Sequence, residues 1–442
     1  MITARWYQKI EKRRSTRILD LMKRSQFWPY DEIRKYQFQK IKRLLTHAYL
    51  HVPYYRNIFL EQGLIPKNIA NLDDFKEIPV LTKEIIRENF DSLLATNIPK
   101  DQLVPNSTGG STGEPLHFYQ DRRYEAWADA ARIRGWYHFA GCESGDKCAV
   151  LWGAMHEVKE DFSLLERVNI FSKHGEIPLN AFNLSDERKM AFLKWCRFLK
   201  PKLLRGYVTA IRDLALFLDE NKLSFPGLRG VILCAETVDD QTQAYIERIF
   251  DAPSYNSYGG RELSLIATEC SHKNGLHEVS ENNYVEFEEI HLTGYENAGN
   301  LIVTNLNNYG MPFIRYRIGD IGIPSSIKSC RCGRGLPLVA KVIGRTTEVF
   351  VFHDGTRIAG EMFIHLMKDF PLKEYLFVQV SDSQVILRVR RSDRVDQSLR
   401  HDIWATYRKY LPEGVTLGFE EVDGFEKTPT GKFRFVLRKF SD

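Results

Sequence analysis

The sequence predicts an α/β fold: a large N-terminal domain with parallel sheets and a barrel-like antiparallel subdomain, then a small α+β C-terminal domain. Short apolar segments alternate with helical patterns over residues 122–258, which is typical of βαβ units and parallel sheet. Apolar and polar residues alternate from Val285, which indicates antiparallel strands. A new α+β pattern begins at Gly344, so the expected domains are residues 1–343 and 344–442.

Residues 1–95 are expected to be mostly helical. Between Tyr36 and Tyr49 the apolar residues recur at helical spacing. Pro53 should end that helix, because the residue before a proline avoids the helical conformation. Thr82 is the expected N-cap of a short helix whose apolar pair faces the core.

The parallel part should carry its ligands where strands end. Strands are expected at 148–152, 202–206, 228–235 and 252–258, and helices at 122–139, 185–199 (with Ser185 as N-cap), from Thr209, and at 242–250. Ligand sites in such folds lie at the carboxyl ends of the strands. Three motifs fall at such ends: 108–113, 235–236 and 258–262.

The remaining strands are expected in two groups. The antiparallel group should lie at 285–292, 299–305 and near 313–316, and the C-terminal domain should have strands near 349–352, 376–380 and 385–389 with a helix near 395–410.

Composition places the chain among ordinary globular proteins, with 43% hydrophobic and 27% charged residues. A net charge of +5 does not argue for nucleic-acid binding. Residues 1–50 hold thirteen Lys or Arg against four Asp or Glu, which suits either peripheral association with an anionic membrane or a solvated helical face. No secretory signal or run of 18 apolar residues is visible.

The seven cysteines are an odd number, which favours a reducing compartment over a disulfide framework and predicts a cytoplasmic protein. Four of them, Cys142, Cys148, Cys196 and Cys234, read as small buried residues.

The other three thiols suggest a metal site. Cys330 and Cys332 form a Cys-x-Cys pair, and Cys270 lies upstream with His272 and His277. Zinc prefers tetrahedral sulfur and nitrogen ligands, and four such ligands make a closed structural site. The predicted set is Cys270, His277, Cys330 and Cys332, with His272 as the rival histidine and four unrelated surface residues as the alternative.

The stretch from Asn106 to Pro115 packs three glycines, two serines and two threonines into ten residues. Glycines let a backbone approach a ligand closely, and successive N–H groups and hydroxyls can cradle an anion. No Gly-Lys-Ser/Thr follows, so the stretch is not a Walker A loop. A flexible surface loop is the alternative.

Five motifs in order resemble those of the adenylate-forming superfamily of acyl-CoA synthetases and ligases. They are the glycine-rich stretch, Asn256–Glu262 (Tyr-Gly-x-Thr-Glu, with Arg261 for the threonine), Tyr316–Asp320 (Tyr-x-x-Gly-Asp), Gly344-Arg345 (the hinge) and Pro429–Arg434 (the C-terminal lysine motif). Within that superfamily, residues 44–56 and 78–83 are similar to the phenylacetate-CoA ligase and capsular-polysaccharide (CapK-like) group. Some members of that group carry a zinc site, as proposed above.

The resemblance implies where ATP and its metal would bind. The β- and γ-phosphates would be held by Ser107, Thr108, Gly109, Gly110, Ser111, Thr112 and Gly113. Glu262 would bind Mg²⁺, a hard cation that prefers carboxylate oxygens. A carboxylate in a surface turn is the alternative role for Glu262.

The resemblance also implies contacts to the nucleoside and the α-phosphate. Tyr258 would stack on adenine beside Asn256, Ser257 and Gly259, unless it is a core tyrosine. The pair Ala235-Glu236 would contact the adenine or the substrate, with helix capping by Glu236 as the alternative. Three charged residues complete the implied set: Asp320 on the ribose hydroxyls, Arg345 at the domain boundary, and Lys432 as the adenylation lysine on a mobile C-terminal domain.

The resemblance implies an ATP-dependent, AMP-forming ligase that activates a small carboxylate as an acyl-adenylate with release of pyrophosphate. The acyl group would pass to coenzyme A, or to an amine or hydroxyl of a sugar precursor in surface polysaccharide biosynthesis. Thr347 occupies a hinge position where many relatives carry an acidic residue, which leaves the second step open. The alternative is a non-catalytic nucleotide-binding or scaffold protein of a polysaccharide assembly system.

Overall fold

The computed structural model of the chain describes residues 4–108, 115–153, 163–367, 370–372, 374–393, 395–425 and 435–440. The helices are α1 (Ala4–Ser25), α2 (Tyr30–His51), α3 (Pro53–Glu61), α4 (Leu72–Lys76), α5 (Lys83–Glu88), α6 (Arg122–Arg132), α7 (Leu164–His174), α8 (Asp186–Leu199), α9 (Val208–Glu220), α10 (Asp240–Phe250), α11 (Gly360–Leu366) and α12 (Gln397–Tyr407). The strands are β1 (Leu103–Ser107), β2 (His117–Asp121), β3 (Cys148–Trp152), β4 (Glu176–Asn180), β5 (Leu203–Tyr207), β6 (Gly230–Cys234), β7 (Ser254–Gly260), β8 (Ser264–Glu269), β9 (Leu276–Glu278), β10 (Asn283–Glu289), β11 (Gly299–Asn305), β12 (Tyr316–Pro324), β13 (Leu338–Arg345), β14 (Val349–Val351), β15 (Arg357–Ala359), β16 (Tyr375–Ser381), β17 (Gln384–Arg390), β18 (Thr416–Val422) and β19 (Val436–Arg438).

The N-terminal part is helical, as its pattern predicts. Helix α2 ends at His51, two residues before Pro53 begins α3. Thr82 caps α5, since its Oγ1 accepts a hydrogen bond from Ile85 N at 3.3 Å. Ile86, on the inner face of α5, is fully buried. These helices cover the antiparallel strands and share one apolar core with them.

One eleven-stranded sheet carries the elements that position the site. Its order is β10-β11-β12-β13-β9-β8-β7-β6-β5-β3-β4. Strands β7, β6, β5, β3 and β4 run parallel, with α8 and α9 packed against them. The predicted strands at 148–152, 202–206, 228–235 and 252–258 and their helices are therefore confirmed within a few residues.

The antiparallel strands extend this sheet instead of forming a separate barrel. Strand β7 pairs parallel with β6 on one side and antiparallel with β8 on the other, which joins the two parts. Strands β10 and β4 are the two edges, so the described strands do not close a barrel. The α/β class and the antiparallel pairing are confirmed, whereas the expectation of several parallel sheets and a barrel-like unit is corrected.

The third antiparallel strand lies further along the chain than predicted. Strand β12 begins at Tyr316, whereas residues 313–315 precede it. That preceding segment is held by a side chain, because Tyr55 OH donates to Pro312 O at 2.9 Å and accepts from Ile314 N at 3.1 Å. Its apolar residues are buried although they belong to no strand, and their apolar pattern therefore predicted a strand that starts too early.

Two further expectations concern caps and cysteines. Ser185 precedes α8 as predicted, but its side chain makes no capping hydrogen bond. Cys142, Cys148, Cys196 and Cys234 are buried and free, as expected of small core residues. None of the described helices combines the length and the apolar content that a membrane span requires.

The C-terminal region has its own four-stranded sheet, ordered β18-β17-β16-β19, and its own core. Its strands and α12 confirm the predicted α+β pattern. Glu361 on α11 joins it to the large sheet: its carboxylate pairs with Lys341 Nζ at 2.6 Å and accepts from Tyr295 OH at 3.0 Å.

Candidate active site

The stem of the glycine-rich turn is an antiparallel hairpin of β1 and β2. Ser107 is the last residue of β1 and pairs with His117. Thr108 continues the hairpin: its N donates to Leu116 O at 3.0 Å, and its Oγ1 accepts from Leu116 N at 2.9 Å. The other predicted phosphate-binding residues, Gly109, Gly110, Ser111, Thr112 and Gly113, lie outside the described residues.

Strand β7 carries the predicted adenine-binding group. Ser257 Oγ accepts a hydrogen bond from Trp136 Nε1 at 2.8 Å, and Asn256 N donates to Glu269 Oε2 at 3.0 Å. A Cβ at Gly259 would lie 2.3 Å from Ser264 O, so only glycine allows the close approach of β7 and β8 there. The neighbours of this group in β8 and in the π-helical turn Ile133–His138 thus fix its position.

Tyr258, Asp320 and Arg345 come together although they are distant in sequence. Asp320 and Arg345 are register partners on β12 and β13, and Arg345 Nε lies 2.9 Å from Asp320 Oδ1. Tyr258 OH donates to Asp320 Oδ2 at 2.7 Å. Burial and the Asp320 charge raise the pKa of Tyr258 well above its usual value, and Asp320 raises the pKa of Arg345. Each carboxylate oxygen keeps a second lone pair, so Asp320 can still accept ribose hydroxyls.

Glu262 lies beside this group, and its backbone contacts the glycine-rich hairpin. Its Oε1 accepts from Tyr316 OH at 3.3 Å. Gln120 on β2 ties the two elements together, because its Nε2 donates to Arg261 O at 2.9 Å and to Glu262 O at 3.1 Å. The Glu262 side chain is buried and forms no ion pair within the described part of the chain. A buried carboxylate without an ion-pair partner among the described residues fits a Mg²⁺ ligand.

Arg261, the departure from the motif's threonine, points back to the same hairpin. Its Nη1 lies 3.5 Å from Ser107 O. The two loops that would flank the phosphates are therefore in direct contact through Arg261 and Gln120.

Ala235 and Glu236 follow β6 at its carboxyl end. Ala235 adopts a left-handed conformation with φ of 63°, which turns the chain sharply at the strand end. Glu236 reaches the start of α9, where its Oε2 accepts from Thr209 N at 2.8 Å and from Thr209 Oγ1 at 3.0 Å. Contact of Glu236 with the nucleotide stays a prediction. The geometry favours the alternative role, in which the Glu236 carboxylate caps the N-terminus of α9.

Replacing Glu236 with glutamine should therefore destabilise the protein more than it weakens ATP binding. We expect a loss of about 1 kcal/mol in the free energy of unfolding, because the carboxylate interacts with the α9 N-terminus. Glu220→Gln, at the exposed C-terminal end of α9, is the matched control. Denaturant unfolding and ATP titration check both effects; a tenfold loss of ATP affinity with unchanged stability would reverse the assignment.

The structure adds Lys83, which the sequence pattern did not assign to the site. Its Nζ would lie 3.5 Å from a Cβ built on Gly319, the neighbour of Asp320. Burial and the nearby Arg345 lower the pKa of Lys83, while Glu262 and Asp320 oppose that shift. The position of Lys83 beside Gly319 follows only from the pairing of segments that are distant in sequence.

The predicted metal-binding set forms one cluster. The ligand atoms of Cys270, His277, Cys330 and Cys332 all lie within 4.8 Å of one another. Cys270 Sγ is 3.8 Å from Cys330 Sγ, and Cys332 Sγ is 3.4 Å from His277 Nε2. Tetrahedral zinc, with Zn–S bonds of about 2.3 Å and Zn–N bonds of about 2.0 Å, needs separations of about 3.8 Å and about 3.5 Å. The four side chains therefore fit zinc.

The rival histidine lies outside this cluster. His272 is exposed and its Nδ1 lies 3.4 Å from Ser271 Oγ. Burial lowers the pKa of His277 to about 4, so this imidazole is neutral at pH 7, as a metal ligand must be. The cluster follows β8, whereas Glu262 precedes it, so the six-residue strand separates the two sites by about 20 Å.

The chain has relatives among curated proteins. It is 24% identical to the protein CapK of Staphylococcus aureus over 416 residues, which cover 91% of this chain and 88% of CapK. It is 23% identical to the phenylacetate-coenzyme A ligase of Pseudomonas putida over 337 residues, which cover 73% of this chain and 72% of that enzyme. No protein-family model matches the chain.

Solved structures of 2-hydroxyisobutyryl-CoA ligase share the fold at 20–21% identity, covering 94% of this chain and 91% of theirs. The TM-score is 0.73 for that ligase in the postadenylation state with R3-HIB-AMP. It is 0.62 for the same ligase with 2-HIB-AMP and CoA in the thioesterification state.

Proposed function

We propose that this chain is an AMP-forming carboxylate–CoA ligase. It would belong to the adenylate-forming superfamily, within the group of phenylacetate-CoA ligases and CapK-like proteins. A carboxylate oxygen would attack the α-phosphorus of ATP, giving an acyl-adenylate and pyrophosphate. The thiol of coenzyme A would then take the acyl group and release AMP. The meeting of Glu262, Asp320 and Arg345 beside the glycine-rich hairpin is the observation that carries this proposal.

The described residues can position the nucleotide. Asp320 would accept the ribose hydroxyls while Arg345 and Tyr258 hold its carboxylate in place. Preorganised groups of this kind need no reorganisation when charge develops on the phosphate oxygens. The hairpin stem at Ser107 and Thr108 would present the glycine-rich turn to the β- and γ-phosphates.

Glu262 would hold Mg²⁺, together with phosphate oxygens. When bound, the metal supplies positive charge to the phosphate oxygens. The hydrogen bond from Tyr316 positions the carboxylate, and Gln120 ties the Glu262 backbone to the hairpin.

We further propose that Cys270, His277, Cys330 and Cys332 bind a structural zinc ion. Four protein ligands leave no open coordination position, which suits a structural role. The ion would tie the end of β8, strand β9 and the turn before β13 to one another.

Pyrophosphate exchange into ATP, measured over a panel of carboxylic acids, tests the first half-reaction. An acid that supports exchange should then give a thioester when coenzyme A is added. Transfer only to an amine or to a sugar hydroxyl would replace coenzyme A as the acceptor. Binding of ATP without exchange for any acid would favour the non-catalytic scaffold of a polysaccharide assembly system.

The double variant Thr108→Val with Ser111→Ala should slow adenylation by about 10²-fold, because it removes two hydroxyl donors from the proposed phosphate clamp. Thr96→Val, a hydroxyl change on the exposed surface, is the matched control. Pyrophosphate exchange and zinc content should be measured together. Exchange at the wild-type rate in a folded double variant would contradict the proposed clamp.

A further inference from the structure

The segment before α5 is fixed to the strand that carries Asp320. Leu81 forms a parallel bridge with Tyr316: Leu81 N donates to Arg315 O at 3.0 Å, and Arg317 N donates to Leu81 O at 2.9 Å. The Thr82 cap then starts α5 with Lys83 as its first residue. Two constraints, a strand bridge and a helix cap, therefore set the position of Lys83.

Lys83 points across β12 at the point where the strand has no side chain. Gly319 has a φ of +91°, and a Cβ built there would lie 3.5 Å from Lys83 Nζ. The glycine thus lets the ammonium lie close to the backbone next to Asp320. Thr346 Oγ1, which donates to Gly319 O at 3.3 Å, holds this part of the backbone.

The charges around Lys83 do not neutralise it by direct contact. Glu262, Asp320 and Arg345 all act on its ammonium electrostatically. Within the described residues, however, the ammonium makes no hydrogen bond and no ion pair. The Asp320 carboxylate instead pairs with Arg345 and accepts from Tyr258. The Glu262 carboxylate accepts from Tyr316. A partly buried ammonium without a direct partner is poorly compensated, so an anion bound beside it would be favourable.

We propose that Lys83 is a catalytic residue that binds the phosphate chain of ATP during adenylation, as a cation fixed on the large domain. This inference rests on the proposed function of the same site. Asp320 and Tyr258 mark the nucleoside side of the cleft, and Glu262 marks the metal side. The ammonium lies beside Gly319, and both Asp320 and Glu262 act on it electrostatically, so phosphates bound between the two sides would lie within its reach.

The role of Lys83 is electrostatic. A bond forms between the substrate carboxylate oxygen and the α-phosphorus, and the bond from that phosphorus to the pyrophosphate oxygen breaks. The pyrophosphate leaves with the electron pair. Lys83 stays protonated and forms no covalent bond; it stabilises negative charge on the phosphate oxygens, as preorganised cations do in phosphoryl and nucleotidyl transfer.

Direct titration of adenosine, AMP and ATP with Mg²⁺ tests the proposal in the full-length protein. Lys83→Ala should weaken ATP binding about tenfold or more and slow pyrophosphate exchange about 10²-fold, with adenosine affinity within about twofold of the wild type. Lys83→Arg, which keeps the charge, should recover most of the ATP affinity. Arg87→Ala, on the same helix, should change neither quantity.

The outcomes separate this inference from the function on which it rests. If the wild type binds ATP and Lys83→Ala binds it equally well, the inference is wrong and the proposed function stands. If the wild type binds no ATP, both are wrong. Equal losses of adenosine and ATP affinity in Lys83→Ala would show a structural role and overturn the inference. Lys83→Gln replaces Lys83→Ala in these comparisons if the alanine variant is not folded by circular dichroism.

Discussion

Replacing Lys432 with alanine should slow acyl-adenylate formation by about 10²- to 10³-fold. The lysine ammonium is expected to neutralise charge that develops between the substrate carboxylate and the α-phosphate, and loss of one such group costs this much in comparable sites. Lys432 lies outside the described residues, so this prediction depends on its motif. Four residues later, Val436 begins β19, where it pairs with Phe377 on β16, so the chain that follows the lysine motif is fixed to the C-terminal sheet. Pyrophosphate exchange measures the effect.

The control for this variant is Lys439→Ala, which removes an exposed lysine seven residues away. It should leave exchange within about twofold of the wild type. Transfer of the acyl group from a supplied acyl-adenylate to coenzyme A should be much less affected by Lys432→Ala, because that step breaks no bond to pyrophosphate. Normal exchange in Lys432→Ala would exclude this lysine as the adenylation residue.

Replacing Cys330 with serine should remove the bound zinc and lower the free energy of unfolding by about 3–5 kcal/mol. Binding of a structural metal to the folded state contributes directly to stability, and a serine hydroxyl is a poor zinc ligand. Cys330 is buried, and its Sγ lies 3.8 Å from Cys270 Sγ, so the substitution removes one of the four proposed ligands from the interior of the cluster. Metal analysis of the purified protein and denaturant unfolding check the two parts of this prediction.

His272→Ala is the matched control, because His272 is nearby in sequence but exposed outside the cluster. It should keep one zinc per chain and wild-type stability. A chelator should lower the melting temperature of the wild type and of His272→Ala, but not that of Cys330→Ser. A wild-type protein purified without zinc and insensitive to the chelator would rule out the metal site.

Local patterns were enough to predict the principal helices and parallel strands. The strand at Cys148–Trp152 is a short apolar segment followed by a change of pattern, and its predicted bounds match the structure. The N-cap at Thr82 and the end of α2 before Pro53 also follow from local chemistry. These features depend on residues within one or two turns of the chain, which a single sequence contains.

Other features depended on contacts between distant segments. Phe313 and Ile314 are buried because Tyr55 and the core hold this segment, and not because it forms a strand. Glu236 follows a strand end like a ligand-binding residue, yet its carboxylate accepts hydrogen bonds from Thr209 at the start of α9. In the first case side-chain contacts override the local pattern, and in the second they favour the helix-cap alternative.

The residues of the candidate site also divide into features that local sequence predicts and features that depend on contacts between distant segments. The glycine-rich turn, Glu262, Asp320, Arg345 and the cysteine–histidine set could be predicted from the sequence, because each motif is short and chemically distinctive. Which of these side chains contact one another depends on the tertiary structure. It joined Tyr258 to Asp320, chose His277 over His272, and brought Lys83 to Gly319 through the bridge of Leu81 to Tyr316. Such pairings arise from strand register and packing between segments that are distant in sequence, from Tyr258 and Asp320, 62 residues apart, to Leu81 and Tyr316, which lie much further apart, and no local spacing records them.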